Sequence, residues 1–326
     1  MQIPLIKYKY HSLYSTAKLD STFSLQDFNF FLGHYFRIRK SIKKGKLLSS
    51  KYRDFFKSNK ASKKLDELGI VPLKPNLKIV QDLRNKFKKE IIELKDSKSK
   101  FPPENRGVSR SIKMLCSIKT KDEIYSYFEN LCKYLGVFDA AEAHKNMPMQ
   151  LSFVALQIND SDDGGILKAC RDETGRISET KYMHIDSGVN TMKCILYLSE
   201  GVREGKGAFS YVLNSHKHES LHVFASRKAN DVSNLESLRK SSIKRKFMNL
   251  PSIFKHKANF GNDLIDYEHQ LAAKKLLENE VFMESDKCLG FIFNPDGVHR
   301  GAIFTEKGER IILQIMLEPC FNEFKK

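Results

Sequence analysis

With 326 residues, the chain can bury a large core, as one large domain with an extension or as two modest domains. It carries 56 Lys and Arg against 39 Asp and Glu, a formal charge of +17, and such a field favours an acidic partner: a polyanion, an anionic membrane surface or a small substrate bearing phosphate or carboxylate. No stretch approaches the ~18 consecutive apolar residues of a membrane span, and Met1 to Lys7 lacks a signal-peptide apolar core, so a soluble cytoplasmic protein is expected.

The six cysteines, Cys116, Cys132, Cys170, Cys194, Cys288 and Cys320, form no CxxC pair. That argues against a disulfide framework and a thiolate zinc site and for reduced, mostly buried thiols.

Residues 1–65 are expected to form a basic, aromatic-rich helical extension. Ser24 and Asp27 read as an N-cap before the helical spacing Leu25, Phe28, Leu32, Tyr35. Between Arg37 and Lys64 there are twelve Lys or Arg and one acid, Asp54, which is either a solvated helical face or a docking surface for anions. A helix is predicted from Ile79 to Leu94. Another begins at Thr120, whose capping box with Glu123 precedes Ile124, Tyr127, Phe128, Leu131 and Tyr134 before Gly136 ends it.

Beyond Gly136 the pattern changes to short apolar segments: Gln150 to Ile158, Thr191 to Ser199, Ala208 to Leu213, Ser220 to Ala225, Cys288 to Asn294, Val298 to Phe304 and Arg310 to Glu318. Turn signals such as Asn294-Pro295-Asp296-Gly297 and Glu306-Lys307-Gly308 separate them. Many short strands after helices predict an α+β, mainly β chain: an antiparallel sandwich or jelly roll with helices packed on one side. The stretch from about 217 to 287, with the basic cluster Arg239, Lys240, Lys244, Arg245 and Lys246, reads as a lid-like insertion.

Met183-His184-Ile185-Asp186 contains an HxD. Ten histidines in a chain with 39 acids give roughly one HxD or HxE by chance, so the motif needs company. It has Val298-His299-Arg300-Gly301 in a late strand, followed eleven positions on by Arg310. Two imidazoles and one carboxylate with open positions form the facial triad of non-haem Fe(II) oxygenases. Strand alternation puts His184 and Asp186 on one face, and a rolled sheet brings His299 beside them. Arg310 can clamp a carboxylate bidentately, from a strand expected to run back as a hairpin beside the one holding His299. Gln157 and Lys193, on predicted strands flanking the metal position, are further pocket candidates. His216 is expected to hydrogen-bond a turn, and His218 and His222 to be polar strand or loop residues.

These residues resemble the phytanoyl-CoA dioxygenase family of Fe(II)- and 2-oxoglutarate-dependent oxygenases. The resemblance rests on His184 and Asp186, on the Gly205 to Lys217 segment with its Ser215-His216-Lys217, on His299 with Arg310 at the family's spacing, and on Leu68 to Leu73 as the opening strand. It covers residues 66–326. It departs at Met183 and Ile185, where the family carries Trp and Gln, and in the long 217–299 stretch.

The resemblance implies a double-stranded β-helix (jelly roll, cupin-like), Fe(II) held by His184, Asp186 and His299, and Arg310 on the distal carboxylate of 2-oxoglutarate. O2 would be the oxidant, with succinate and CO2 as co-products. An intact Asp186 favours hydroxylation or desaturation over halogenation. The expected substrate is a small, anionic or neutral metabolite with an aliphatic C–H. A nucleic-acid substrate ranks lower, because Arg310 is followed by Ile311 to Leu317 without a second arginine. A non-catalytic jelly-roll binding module is the third possibility.

Overall fold

The computed structural model describes residues 25–52, 55–74, 77–100, 111–161, 183–186, 188–218, 278–288, 290–301 and 304–320, with Leu221, Phe224, Ala225 and Lys228. Six helices lie among them: α1 (Leu25–Lys51), α2 (Lys60–Leu68), α3 (Leu77–Lys86), α4 (Lys88–Ser99), α5 (Glu123–Tyr134) and α6 (Val137–Lys145). The strands are β1 (Ile70–Leu73), β2 (Ile112–Ser117), β3 (Met149–Asp160), β4 (Met192–Tyr197), β5 (Phe209–Val212), β6 (Glu280–Met283), β7 (Gly290–Phe293), β8 (His299–Arg300) and β9 (Glu309–Pro319). No helix among the described residues is long and apolar enough to cross a membrane.

The strands form two sheets, one of six in the order β1-β7-β4-β9-β3-β2 and one of three in the order β6-β5-β8, with every pair antiparallel. Antiparallel sheets with flanking helices therefore match the expected class. Period-two alternation sorts β9 between two cores. Ile311, Leu313, Ile315 and Leu317 join the helices, packing with Leu83 of α3, Phe87, and Phe128 and Cys132 of α5. Ile312 points the other way and packs with Tyr197, Phe291 and Phe293 of the large sheet and Phe209 and Tyr211 of the small one. Residues that share the face of Ile312 therefore look into the space between the sheets, and Arg310, two positions away on the same strand, is one of them.

α1 buries Tyr35, Ile38, Ile42 and Leu48 at helical spacing and leaves Arg37, Lys40, Lys43, Lys44, Lys46 and Lys51 exposed. The residue facing inward between Ile42 and Leu48 is Gly45. A Cβ there would lie 1.7 Å from Asn190 Nδ2, so the helix needs a glycine to pack on the turn that follows Asp186.

Several predicted elements differ. The helix expected over Ile79 to Leu94 is two, broken at Phe87, whose backbone (φ −103, ψ 19) leaves helical geometry while its ring stacks on Phe128 at 5.4 Å and 11°. Asp122, not Thr120, caps α5 through Tyr125 N; the Thr120 hydroxyl donates to Ser117 O instead. Leu221, Phe224 and Ala225, expected in a strand, are helical, and their spacing with Lys228 is that of one helix face.

β8 and β9 do not form a hairpin. β8 pairs with β5 in the small sheet and β9 with β3 and β4 in the large one. The Glu306-Lys307-Gly308 connection is held instead by Gly205 O, which accepts from Thr305 N and Glu306 N, and by Ser161 N, which donates to Gly308 O. The Ser24 cap, the Arg239 to Lys246 cluster, Cys170, His222 and most of the expected lid lie outside the described residues.

Candidate metal centre

His184 lies in no named strand, yet its backbone forms an isolated bridge with His299, N to O at 2.9 Å in both directions. Asp186 N donates to Pro295 O at 2.9 Å. These bonds tie the HxD to the turn that leads into β8. The turn is itself held by Gly297 N to Asn294 O at 3.1 Å and by the Tyr211 hydroxyl, which donates to Asn294 O at 2.9 Å. Ser215 carries the other side, donating from Oγ to Val212 O at 2.6 Å and accepting from Val298 N at 2.7 Å. Two segments more than a hundred residues apart thus meet with their side chains on one side.

The ligand-type atoms of His184, Asp186 and His299 all lie within 4.8 Å of one another. Asp186 Oδ1 is 3.6 Å from His184 Nε2 and 3.7 Å from His299 Nε2, too far for direct hydrogen bonds. His299 Nδ1 donates to Gly297 O at 2.8 Å, which fixes the tautomer that leaves the Nε2 lone pair facing Asp186. Burial lowers the His299 pKa against the pull of Asp186, so the ring is held neutral, as a ligand must be. Burial pushes the Asp186 carboxyl up, but Lys193 and then His299 outweigh it and hold the group well below the usual carboxylate range. Two imidazoles, that of His299 neutral, and an ionised carboxylate, converging without side-chain hydrogen bonds to one another, fit a divalent cation.

Arg310 is 3% exposed and carries one hydrogen bond, from Nη2 to Asn159 Oδ1 at 2.8 Å. Among the described residues its Nε and Nη1 are buried without a partner, and so is Asn159 Nδ2. Among the described residues no carboxylate pairs with it, and burial brings its pKa down to about 10 despite the opposing influence of Tyr197. Asn159 and Arg310 sit opposite each other in register on β3 and β9. Three unsatisfied N–H donors around a buried cation make a cradle whose missing element is an anion. Gly207 (φ +86) runs beside it; a Cβ there would come within 2.5 Å of the Phe304 ring and 3.3 Å of Arg310 Cβ.

Lys193 reaches the triad: its Nζ is 2.6 Å from Asp186 Oδ2. Gln157 is placed opposite Ile312 and so shares the inward face. His216 lies elsewhere, its Nε2 donating to Asp66 O at 3.3 Å, and His218 stacks on Phe224 at 4.1 Å. The described cysteines are free, four of them buried, and burial raises Cys132 to about 12 and Cys116 and Cys288 to about 11, which keeps them as inert thiols. Two residues of the site escaped the sequence reading: Asn159, in an Asn-Asp pair that reads as a strand end, and the buried Lys228.

No family model matches the chain, and no curated protein does. Solved structures do. HygX from Streptomyces hygroscopicus with nickel and 2-oxoglutarate bound is 13% identical, with a TM-score of 0.42 over 82% of this chain and 88% of that one. SnoK, a non-haem alpha-ketoglutarate-dependent carbocyclase from nogalamycin biosynthesis, is 11% identical, with a TM-score of 0.43 over 83% and 90%. AviO1 from Streptomyces viridochromogenes Tue57 is 10% identical, with a TM-score of 0.40 over 80% and 94%. At these values the likenesses carry no activity over to this chain.

Proposed function

We propose that the chain is a non-haem Fe(II)- and 2-oxoglutarate-dependent dioxygenase that hydroxylates an aliphatic C–H of a small metabolite. The two sheets are read as the halves of a double-stranded β-helix, residues 66–326 as the oxygenase domain, residues 1–65 as its extension and the 217–287 stretch as its lid. The observation that carries the proposal is the convergence of His184, Asp186 and His299 into one group of metal-ligand atoms.

His184, Asp186 and His299 would hold the metal, leaving the open positions that small ligands need. Bound there with 2-oxoglutarate and O2, Fe(II) supplies the oxidative decarboxylation that yields succinate and CO2 and places oxygen on a C–H bond. The protein's own residues do the rest. Arg310 and Asn159 offer their unpaired N–H groups to the distal carboxylate of 2-oxoglutarate, which would neutralise a buried guanidinium. Lys193 offsets the charge of Asp186 on the inward face. Phe209, Tyr211 and Phe293 ring His299 at centroid distances of 5.6, 6.5 and 5.2 Å and keep water from it.

The test is anaerobic calorimetry with Fe(II) and 2-oxoglutarate: each should bind, and 2-oxoglutarate should bind more tightly once the metal is present. No binding of either ligand would leave a jelly-roll binding module as the better account. The exposed cations of α1 favour a nucleic-acid substrate as the second reading, and steep salt dependence of RNA or DNA binding would support it.

A further inference from the structure

Lys228 is 0% exposed. An ammonium has three protons to place, and Nζ has three oxygen partners, each on a segment that bears on the triad. It donates to Asp186 O at 2.6 Å and to Gly188 O at 2.6 Å. It also lies 2.7 Å from Asp296 Oδ1, an ion pair too oblique to count as a hydrogen bond. Asp296 belongs to the turn before His299, and its other oxygen is held by Lys145 at 3.1 Å. The Phe224 ring flanks the ammonium at 5.2 Å and stacks in turn on His218.

We propose that Lys228 is a positioning residue that couples the inserted segment to the metal centre by clamping the Asp186 backbone against the turn that carries His299; this rests on the metal reading above. The HxD is a weak point of the fold because it lies in no named strand. His184 has its two bonds to His299 and Asp186 has one through its N–H, so the Asp186 carbonyl has Lys228 where a strand residue would have a neighbour. The orientation of that peptide sets where the carboxylate points. Asp296, in the turn before His299, contacts the same Nζ, so a single cation ties together the segments that supply Asp186 and His299.

The residue type follows from the geometry. Methionine has the length and no donor; arginine keeps the charge, but its planar fork does not match three oxygens converging on one atom. Lys228 also stands in the stretch that sequence places over the pocket, on the helical face with Leu221, Phe224 and Ala225. The position of Lys228 and the geometry at the metal are therefore two readings of one contact. Linkage makes the coupling reciprocal: a metal that fixes Asp186 also fixes Lys228.

The experiment is Mn(II) binding, followed by calorimetry and by electron paramagnetic resonance, to the full chain and two variants. Lys228→Met should weaken Mn(II) binding about ten- to a hundred-fold. Leu83→Ala, a fully buried core residue among the helices, should lower the Tm at unchanged Mn(II) affinity, which separates positioning from general stability. In the wild-type protein Mn(II) should slow amide exchange in peptides containing Leu221 to Lys228, a readout that needs no variant to fold. Equal affinities of wild-type protein and Lys228→Met, or exchange at Lys228 indifferent to bound Mn(II), would overturn the coupling alone. A wild-type protein that binds no Mn(II) would overturn the metal reading and the coupling with it.

Discussion

Lys193 Nζ approaches Asp186 Oδ2 to 2.6 Å, yet the contact is too oblique to satisfy that oxygen as a hydrogen bond. The lysine thus acts on the carboxylate mainly as a point charge, and in the metal-free protein it takes the role of counter-ion that a divalent cation would otherwise fill. Replacing Lys193 by Met should cost the metal-free protein about 1–3 kcal/mol by stranding a buried carboxylate. It should also tighten Mn(II) binding, roughly tenfold for each 1.4 kcal/mol of repulsion removed. Thermal unfolding and calorimetry on the same variant check the two opposite signs.

Arg310 should separate binding from stability. Among the described residues two of its donors have no partner and no carboxylate offsets its charge, so Arg310→Met removes a group that folding does not favour. The Tm should hold or rise. The KM for 2-oxoglutarate should climb about ten- to a hundred-fold, as expected for losing a charge-assisted bidentate contact of roughly 1.5–3 kcal/mol, and Arg310→Lys should recover part of it. A KM that stays put would remove Arg310 from the co-substrate site.

Arg300 and Glu280 behave in the opposite way. Nε and Nη2 of Arg300 reach the two carboxylate oxygens at 2.8 Å each, the pair is 9% and 6% exposed, and the Ser210 hydroxyl also donates to Glu280. Glu280→Ala leaves a buried guanidinium without its carboxylate and should cost about 3–5 kcal/mol. Because Arg300 follows His299 on β8, Mn(II) affinity should fall with it. Chemical denaturation with the metal titration tests both.

The site was legible in sequence where chemistry forces residue type at short or strand-defined spacing. HxD, the distant His299 and Arg310 meet this condition, and the structure brings His184, Asp186 and His299 together. What escaped depends on neighbours that sequence separation conceals. Lys228 is one lysine among many, distinguished only by the oxygens around it. Asn159 reads as a strand end, because nothing local tells that β9 will set Arg310 opposite it. In the fold, β2 was missed because its edge exposes Met114, which blurs the alternation. The hairpin expected between β8 and β9 failed because the connection bonds to Gly205 and Ser161 rather than to its own strands.

Acid should unfold the protein through the helix side. Burial, with His144 nearby, lowers His216 from 6.5 to about 4, and burial lowers His144 as well against its contact with Asp66. The unfolded chain therefore takes up these protons first. Their neutral forms contribute stability that is complete above about pH 6.5 and is lost as the pH falls towards 4. Tm measured against pH should slope upward across that window, and His216→Gln should flatten the slope.

The most direct measurement of the central claim is succinate formed from 2-oxoglutarate in air by protein loaded anaerobically with Fe(II), compared with His184→Ala. The wild-type protein should release succinate in an iron-dependent manner even without its substrate, and the variant should release none while keeping its fold. Succinate production that survives His184→Ala, or a well-folded wild-type protein that produces none with iron and 2-oxoglutarate present, would contradict the assignment of His184, Asp186 and His299 as the iron site of an oxygenase.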